Sequence, residues 1–184
     1  MKVIETELDG VYILEPKIFA DNRGWFMESY NKMNLPQIKG EFIQDNHSFS
    51  AEKNVLRGIH FQQAPYSQAK LVRCVAGAVM DFAVDLRKGS PTYKKWIGIE
   101  LSRTNKKMIY IPKGFGHGFV TLSQDVEILY KADEYYNPES DRSIRFDDSE
   151  IGIDWGVQNP ILSDKDRNAL LLKDSDCNYI YGEI

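Results

Sequence analysis

The chain has 184 residues, 42% of them hydrophobic and 27% charged, a globular composition that excludes disorder and fibrous repeats. Lys and Arg number 23 against 27 Asp and Glu, a net charge of −4, so no global basic field attracts DNA, RNA or an anionic membrane. At roughly 100–200 residues per domain, residues 1–184 are expected to form one domain with a core of its own.

The opening stretch MKVIETELDG mixes charged and apolar residues. It lacks the basic segment followed by an apolar run that marks a secretory leader. Short segments rich in branched and aromatic residues follow at Val11–Leu14, Phe42–Gln44, Val55–Gln62, Lys70–Val75, Ala78–Leu86, Trp96–Leu101, Lys107–Ile111, Phe119–Leu122 and Glu127–Tyr130; these read as strands. Gly77, the Gly89-Ser90-Pro91 run, Asn105, Gly114 and Asp125 punctuate them. Within Val79–Asp85 the two polar residues, Asp81 and Asp85, fall on one strand face, which is expected to meet a wet cavity. Helical pattern is confined to Asn31–Ile38, a turn or short helix, and to Ser163-Asp164-Lys165-Asp166, where Ser163 reads as an N-cap. Short strands at near-regular spacing predict an all-β sandwich or barrel with short helical appendages. No apolar run approaches the ~20 residues needed to cross a bilayer. Cys74 and Cys177 match no metal or redox spacing. A soluble cytoplasmic protein with free thiols is expected.

Only three histidines are present, His47, His60 and His117. The ordinary role of any one is a hydrogen-bonded structural residue, and His47 is read that way. His60 and His117 differ because Gly58, Gly116 and Gly118 flank them, allowing backbone or ligand to approach closely. Lys94-Lys95, Lys106-Lys107 and the Asp147-Asp148-Ser149-Glu150 run read as solvated faces, while Trp96, Trp155 and Cys74 read as packing.

Pro112-Lys-Gly114-Phe-Gly-His117 resembles the second motif of the cupins, PxGxxH. Cupins are double-stranded β-helix (jelly-roll) barrels that often hold a metal. The His-x-His of the first cupin motif is missing, since Phe61 and Gln62 follow His60. A metal wants three or four converging ligands, so no metal is expected.

A closer resemblance rests on ordered blocks: Phe19-Ala-Asp21-Asn-Arg23-Gly24-Trp-Phe26-Met-Glu28, Phe42-Ile-Gln44-Asp45-Asn46-His-Ser48, Leu56-Arg57-Gly58-Ile-His60-Phe-Gln62, Lys70-Leu-Val-Arg73, Asp81-Phe-Ala-Val-Asp85, Tyr130-Lys131 with Tyr135-Tyr136, and Leu162-Ser163-Asp164-Lys165-Asp166. Over about Lys2–Arg167 the sequence resembles the dTDP-4-dehydrorhamnose 3,5-epimerases, cofactor-independent cupin-like isomerases. The resemblance implies a dTDP-4-keto-6-deoxyhexose substrate and a homodimer whose N-terminal residues cross to the partner. It assigns His60 as base, Asp166 as the carboxylate that orients it, Lys70 as stabiliser of the C4 oxygen and Tyr130 as proton donor from the opposite face. Arg23 and Arg57 match pyrophosphate contacts. Glu28, Gln44, Asn46, His117, Asp141 and Lys165 match other substrate contacts, and Tyr136 stacks on the thymine.

These assignments agree with elementary chemistry. Inverting a carbon beside a ketone requires a base poised near neutrality, a positive group for the enolate and an acid on the other face. Arg142, Phe146, Gly116 and Asn54 depart from the family's usual Gly, Trp, Ala and Gly, and none is in the acid–base set. Three other readings remain open at this stage: inversion of one centre only, a non-catalytic sugar-binding cupin, and a metal-dependent dioxygenase.

Overall fold

The computed structural model describes residues 1–183. Its strands are β1 (Lys2–Glu5), β2 (Tyr12–Glu15), β3 (Ile18–Asp21), β4 (Gly24–Met27), β5 (Gln44–Ser50), β6 (Leu56–Gln62), β7 (Lys70–Ala76), β8 (Ala78–Asp85), β9 (Trp96–Ser102), β10 (Met108–Ile111), β11 (Phe115–Thr121), β12 (Val126–Ala132) and β13 (Asp141–Ser143). A six-stranded sheet of order β1-β2-β10-β7-β12-β5 faces a five-stranded sheet of order β13-β6-β11-β8-β9, and β3-β4 forms a separate hairpin. All pairings between these strands are antiparallel. This is the jelly-roll barrel expected from the sequence.

Three apolar layers hold the sheets. Between them pack Val72, Ile109 and Ile128 from one side and Val79, Ala83, Phe115 and Phe119 from the other. Residues 144–179 cover the outside of the five-stranded sheet, where the Trp155 ring lies 4.7 Å from that of Phe82. That cover explains why β8 is buried at six of its eight positions and half-buried at the other two, with Phe82 and Val84 pointing outward yet shielded. The segment around Leu35 and Ile38 covers Leu14, Leu71, Met108 and Tyr110 on the six-stranded sheet. Each fully buried large apolar side chain in these layers contributes about 1.5–3 kcal/mol.

Most strands coincide with the sequence expectation, and the differences have physical causes. The strand expected at Phe42–Gln44 begins only at Gln44 and runs to Ser50. Its inward residues are polar, so apolar alternation did not mark it. Phe42 instead packs edge-on against Tyr30 and Tyr110. β11 starts at Phe115 rather than Phe119, through a Gly-rich stretch. Asn31–Ile38 yields a single 3-10 turn, Lys32–Asn34, capped by the Asn31 side chain. The Ser163 cap is borne out: it opens α1 (Asp164–Arg167) and accepts from the Asp166 backbone N–H. Asp148 is not on a solvated face. It is buried, and its carboxylate accepts from the backbone N–H groups of Glu150, Ile151 and Leu172.

One irregularity positions the site. His117 pairs with His60 and Phe119 with Arg57, so β6 carries one residue more than β11 between these pairs. Such a bulge re-aims side chains, and both Arg57 and His60 turn toward the interior. The strands approach so closely here that a Cβ on Gly58 would lie 2.5 Å from the Gly118 Cα. Gly58 also has φ of 138°, outside the range of ordinary L residues.

Candidate active site

The two sheets supply different chemistry to the space between them. From the five-stranded sheet come His60 and Arg57 on β6, His117 on β11 and Asp141 on β13. The six-stranded sheet contributes Lys70 on β7, Tyr130 on β12, and Gln44 and Asn46 on β5, with Asn46 directly opposite Tyr130.

His60 Nε2 lies 2.5 Å from Asp166 Oδ1. The carboxylate is held in turn: Ser163 Oγ donates to Asp166 Oδ2 at 2.9 Å and accepts from the Asp166 N–H at 3.1 Å. With Nε2–H given to the carboxylate, Nδ1 keeps the free lone pair. Burial lowers the His60 pKa from its ordinary range, against the opposing pull of Asp166, and the positive charge of Lys70 lowers it further. Burial alone would raise Asp166, but its hydrogen bonds from His60 and Ser163 outweigh that and leave it lowered. The pair therefore rests as neutral imidazole beside carboxylate, a base ready to accept a proton.

Lys70 is strongly altered by its surroundings. Burial brings its pKa down to about 8, with Asp141 and Asp81 resisting the drop. At pH 7 it is still largely an ammonium. Its Nζ sits 5.8 Å from the centre of the Tyr130 ring. Burial raises the Tyr130 phenol above its ordinary value, so Tyr130 stays protonated and can donate. A base, a cation and a proton donor thus share one interior, with base and donor on opposite walls.

The surrounding polar residues brace one another. Asp141 Oδ2 accepts from Lys165 Nζ at 2.5 Å and from the Tyr136 hydroxyl at 3.4 Å. Gln44 accepts from the Tyr136 N–H at 2.9 Å and donates to Asn46 at 3.1 Å. Arg57 donates to Ser50 Oγ and to the Phe49 carbonyl. His117 Nε2 meets both oxygens of Asp81, at 3.1 and 3.0 Å. Asp81 is fully buried; sequence reasoning placed it on an inward face without assigning it a role. The other polar residue of that strand, Asp85, is not in the cavity, but is tied into the following turn by Arg87, Ser90 and Thr92.

Two expected contacts lie elsewhere. Arg23 is on the β3–β4 hairpin, paired with Asp21, and its side chain is 85% exposed. Glu28 follows that hairpin and accepts from Asn31 and Asn34. His47 forms an exposed pair with Glu127, consistent with a structural role. Among the described residues, no group of three or more His, Cys, Asp and Glu side chains is arranged to hold a metal ion. Nor is any helix among them long and apolar enough to cross a membrane.

A jelly-roll barrel with a paired imidazole facing a phenol and an ammonium has the equipment of an isomerase that works by proton transfer. Comparison with known proteins makes the class specific. Residues 5–174 match the family model described as dTDP-4-dehydrorhamnose 3,5-epimerase. The Salmonella typhimurium dTDP-4-dehydrorhamnose 3,5-epimerase is 54% identical over 176 residues, covering 94% of this chain and 96% of that one. A Bacillus anthracis dTDP-4-dehydrorhamnose 3,5-epimerase solved with TDP and PPi bound superposes with a TM-score of 0.90 at 48% identity, covering 92% of this chain and 98% of that one. A Legionella pneumophila dTDP-6-deoxy-D-glucose-3,5-epimerase in complex with dTDP-4-keto-L-rhamnose gives a TM-score of 0.90 at 45% identity, covering 95% and 94%. The chain belongs to the dTDP-4-dehydrorhamnose 3,5-epimerase family.

Proposed function

We propose that the chain inverts C3 and C5 of dTDP-4-dehydro-6-deoxy-D-glucose, giving dTDP-4-dehydro-L-rhamnose for dTDP-L-rhamnose biosynthesis. The observation that carries the mechanism is the 2.5 Å contact between His60 and Asp166, in an interior that also holds Lys70 and Tyr130. The C4 ketone of the substrate acidifies the C–H bonds on both sides of it. His60 Nδ1 takes one of these protons, and Asp166 stabilises the imidazolium that forms. The electron pair left behind moves onto the C4 oxygen, where the Lys70 ammonium meets the developing negative charge, often the largest single contribution in such reactions. Tyr130 then returns a proton to the opposite face of the carbon. His60 releases its proton to solvent and Tyr130 recovers one, after which the second centre reacts in the same way. General acid–base steps of this kind are worth about 10²–10⁴ in rate each.

Arg57 grips the pyrophosphate, a planar fork suited to phosphate oxygens. Gln44, Asn46, His117, Asp141 and Lys165 contact the rest of the ligand, and Tyr136 stacks on the thymine. Arg23 and Glu28 reach a substrate only when the hairpin is presented to another copy, so we read the protein as a homodimer with arms exchanged between protomers. The exposed Phe19, Trp25 and Phe26 of the hairpin support that reading. Residues 1–184 act as one cupin-like unit. The buried free thiols of Cys74 and Cys177 suit a cytoplasmic enzyme, and its product suits cell-wall polysaccharide assembly.

The test is incubation with the 4-keto sugar nucleotide in D₂O, followed by NMR. Deuterium with inversion at both C3 and C5 is expected. Inversion at one carbon would reduce the enzyme to a single-centre epimerase, and no incorporation at either would leave only a binder.

A further inference from the structure

The loop between β12 and β13, residues 133–140, carries Tyr136 and leads into Asp141, yet pairs with no strand. Backbone groups of Glu134, Tyr135, Tyr136 and Asn137 are instead held by the side-chain amides of three glutamines. Gln68 donates to the Glu134 carbonyl at 2.8 Å, and Gln44 accepts from the Tyr136 N–H at 2.9 Å. Gln62 does more than either. Its amide nitrogen donates to the Tyr135 carbonyl at 3.1 Å and to the Tyr66 carbonyl at 2.7 Å, while its amide oxygen accepts from the Asn137 N–H at 2.8 Å.

Gln62 is 4% exposed and lies two residues beyond His60, so it leaves β6 on the same face as the base. Its own carbonyl accepts from the Tyr179 hydroxyl, which fixes the strand end. One buried side chain therefore joins the strand bearing the base to two loops with exposed aromatic rings, since Tyr66, Tyr135 and Tyr136 are 44%, 64% and 58% exposed. A buried amide with three partners has one arrangement available to it, and losing it leaves two carbonyls and an N–H without partners.

We propose that Gln62 is a positioning residue that sets the loop 133–140 for the nucleoside end of the substrate, and so governs nucleotide affinity rather than proton transfer. The inference rests on the substrate reading above. Its consequence is a separation of effects: although Gln62 is a near neighbour of His60, its removal should be felt at the far end of the ligand.

Two variants test it. Gln62→Ala removes all three bonds, whereas Gln62→Glu keeps the acceptor for Asn137 and replaces the donor by an oxygen facing two carbonyls. For each, dTDP affinity is measured by calorimetry, alongside KM and kcat for the 4-keto sugar nucleotide, with thermal melts to confirm folding. The expected result is a loss of dTDP affinity of about tenfold and a matching rise in KM, with kcat held within about twofold. Should Gln62→Ala fail to fold, Gln62→Glu, which preserves the volume, carries the test. Unchanged dTDP affinity in a folded variant would overturn the inference, as would a fall in kcat at constant KM. Wild-type protein that does not bind dTDP at all would overturn the substrate reading itself, a result distinct from the other two.

Discussion

The barrel interior and the β3–β4 hairpin both carry residues assigned to the substrate, and they are built in opposite ways. In the interior the base and its surroundings are fixed by neighbours: Asp166 by Ser163, His60 by Asp166, Asp141 by Lys165. On the hairpin, Arg23 is paired only within its own turn, to Asp21, and Phe26 is 67% exposed. Proton transfer tolerates little misplacement, so its groups belong on braced strands. Holding a pyrophosphate is less demanding, and a cation on an arm can do it once the arm is docked.

The largest effects should fall in the interior. His60→Ala is expected to lower kcat by about 10²–10⁴-fold and to abolish solvent deuterium incorporation at both carbons, as followed by NMR. Asp166→Asn should cost at least about 10² in kcat, because the imidazole loses both its orientation and the partner for its charged form. Full activity in either variant would break the contrast at its root.

The hairpin predicts a different signature. Arg23→Ala should raise KM by about 10–100-fold, the worth of a charged hydrogen bond, with a smaller change in kcat. Its placement is sharpened by mixing. In a heterodimer of the Arg23→Ala and His60→Ala chains, exchanged arms leave one site with both lesions and the other with neither. Mixing two impaired proteins should then restore up to half the wild-type activity per mixed dimer. No recovery on mixing would put Arg23 in its own chain's site or outside any site.

The smallest effect is pH dependence within the interior. The pKa of His60 is lowered, so kcat/KM should fall only as pH drops well below the usual imidazole range and the base becomes protonated. Lys70 titrates at about 8, so activity should decline again above that value as the ammonium is lost. Tyr130 is raised and contributes nothing there. Lys70→Gln should lower activity throughout and flatten the alkaline limb. A limb near pH 8 that persists in Lys70→Gln would assign it to another group.

The same division governs how much the sequence discloses. β8, β9 and β12 were legible because their apolar residues pack against a covered core. β5 was misplaced because Gln44, Asn46 and Ser48 face inward, and a wet interior erases the alternation that reveals a strand. β1, β3, β4 and β13 are only three or four residues long, mostly exposed or half-buried, and carry little pattern. In the site, the cap at Ser163 was readable directly, and with it the first-turn position of Asp166. The roles of His60, Lys70 and Tyr130 came from the family resemblance, since they come together only when β6, β7 and β12 are folded. Asp148 misled because a charge run looks solvated until its backbone partners on residues 150, 151 and 172 are known.

The central claim is that base and acid attack one sugar ring from opposite walls of the barrel, and Tyr130→Phe in D₂O tests it most directly. Removing the phenol while His60 remains should let deuterium enter next to the ketone while inversion is lost, because protons then return only from the face they left. Inverted product formed at the wild-type rate, or the loss of exchange together with inversion, would contradict it.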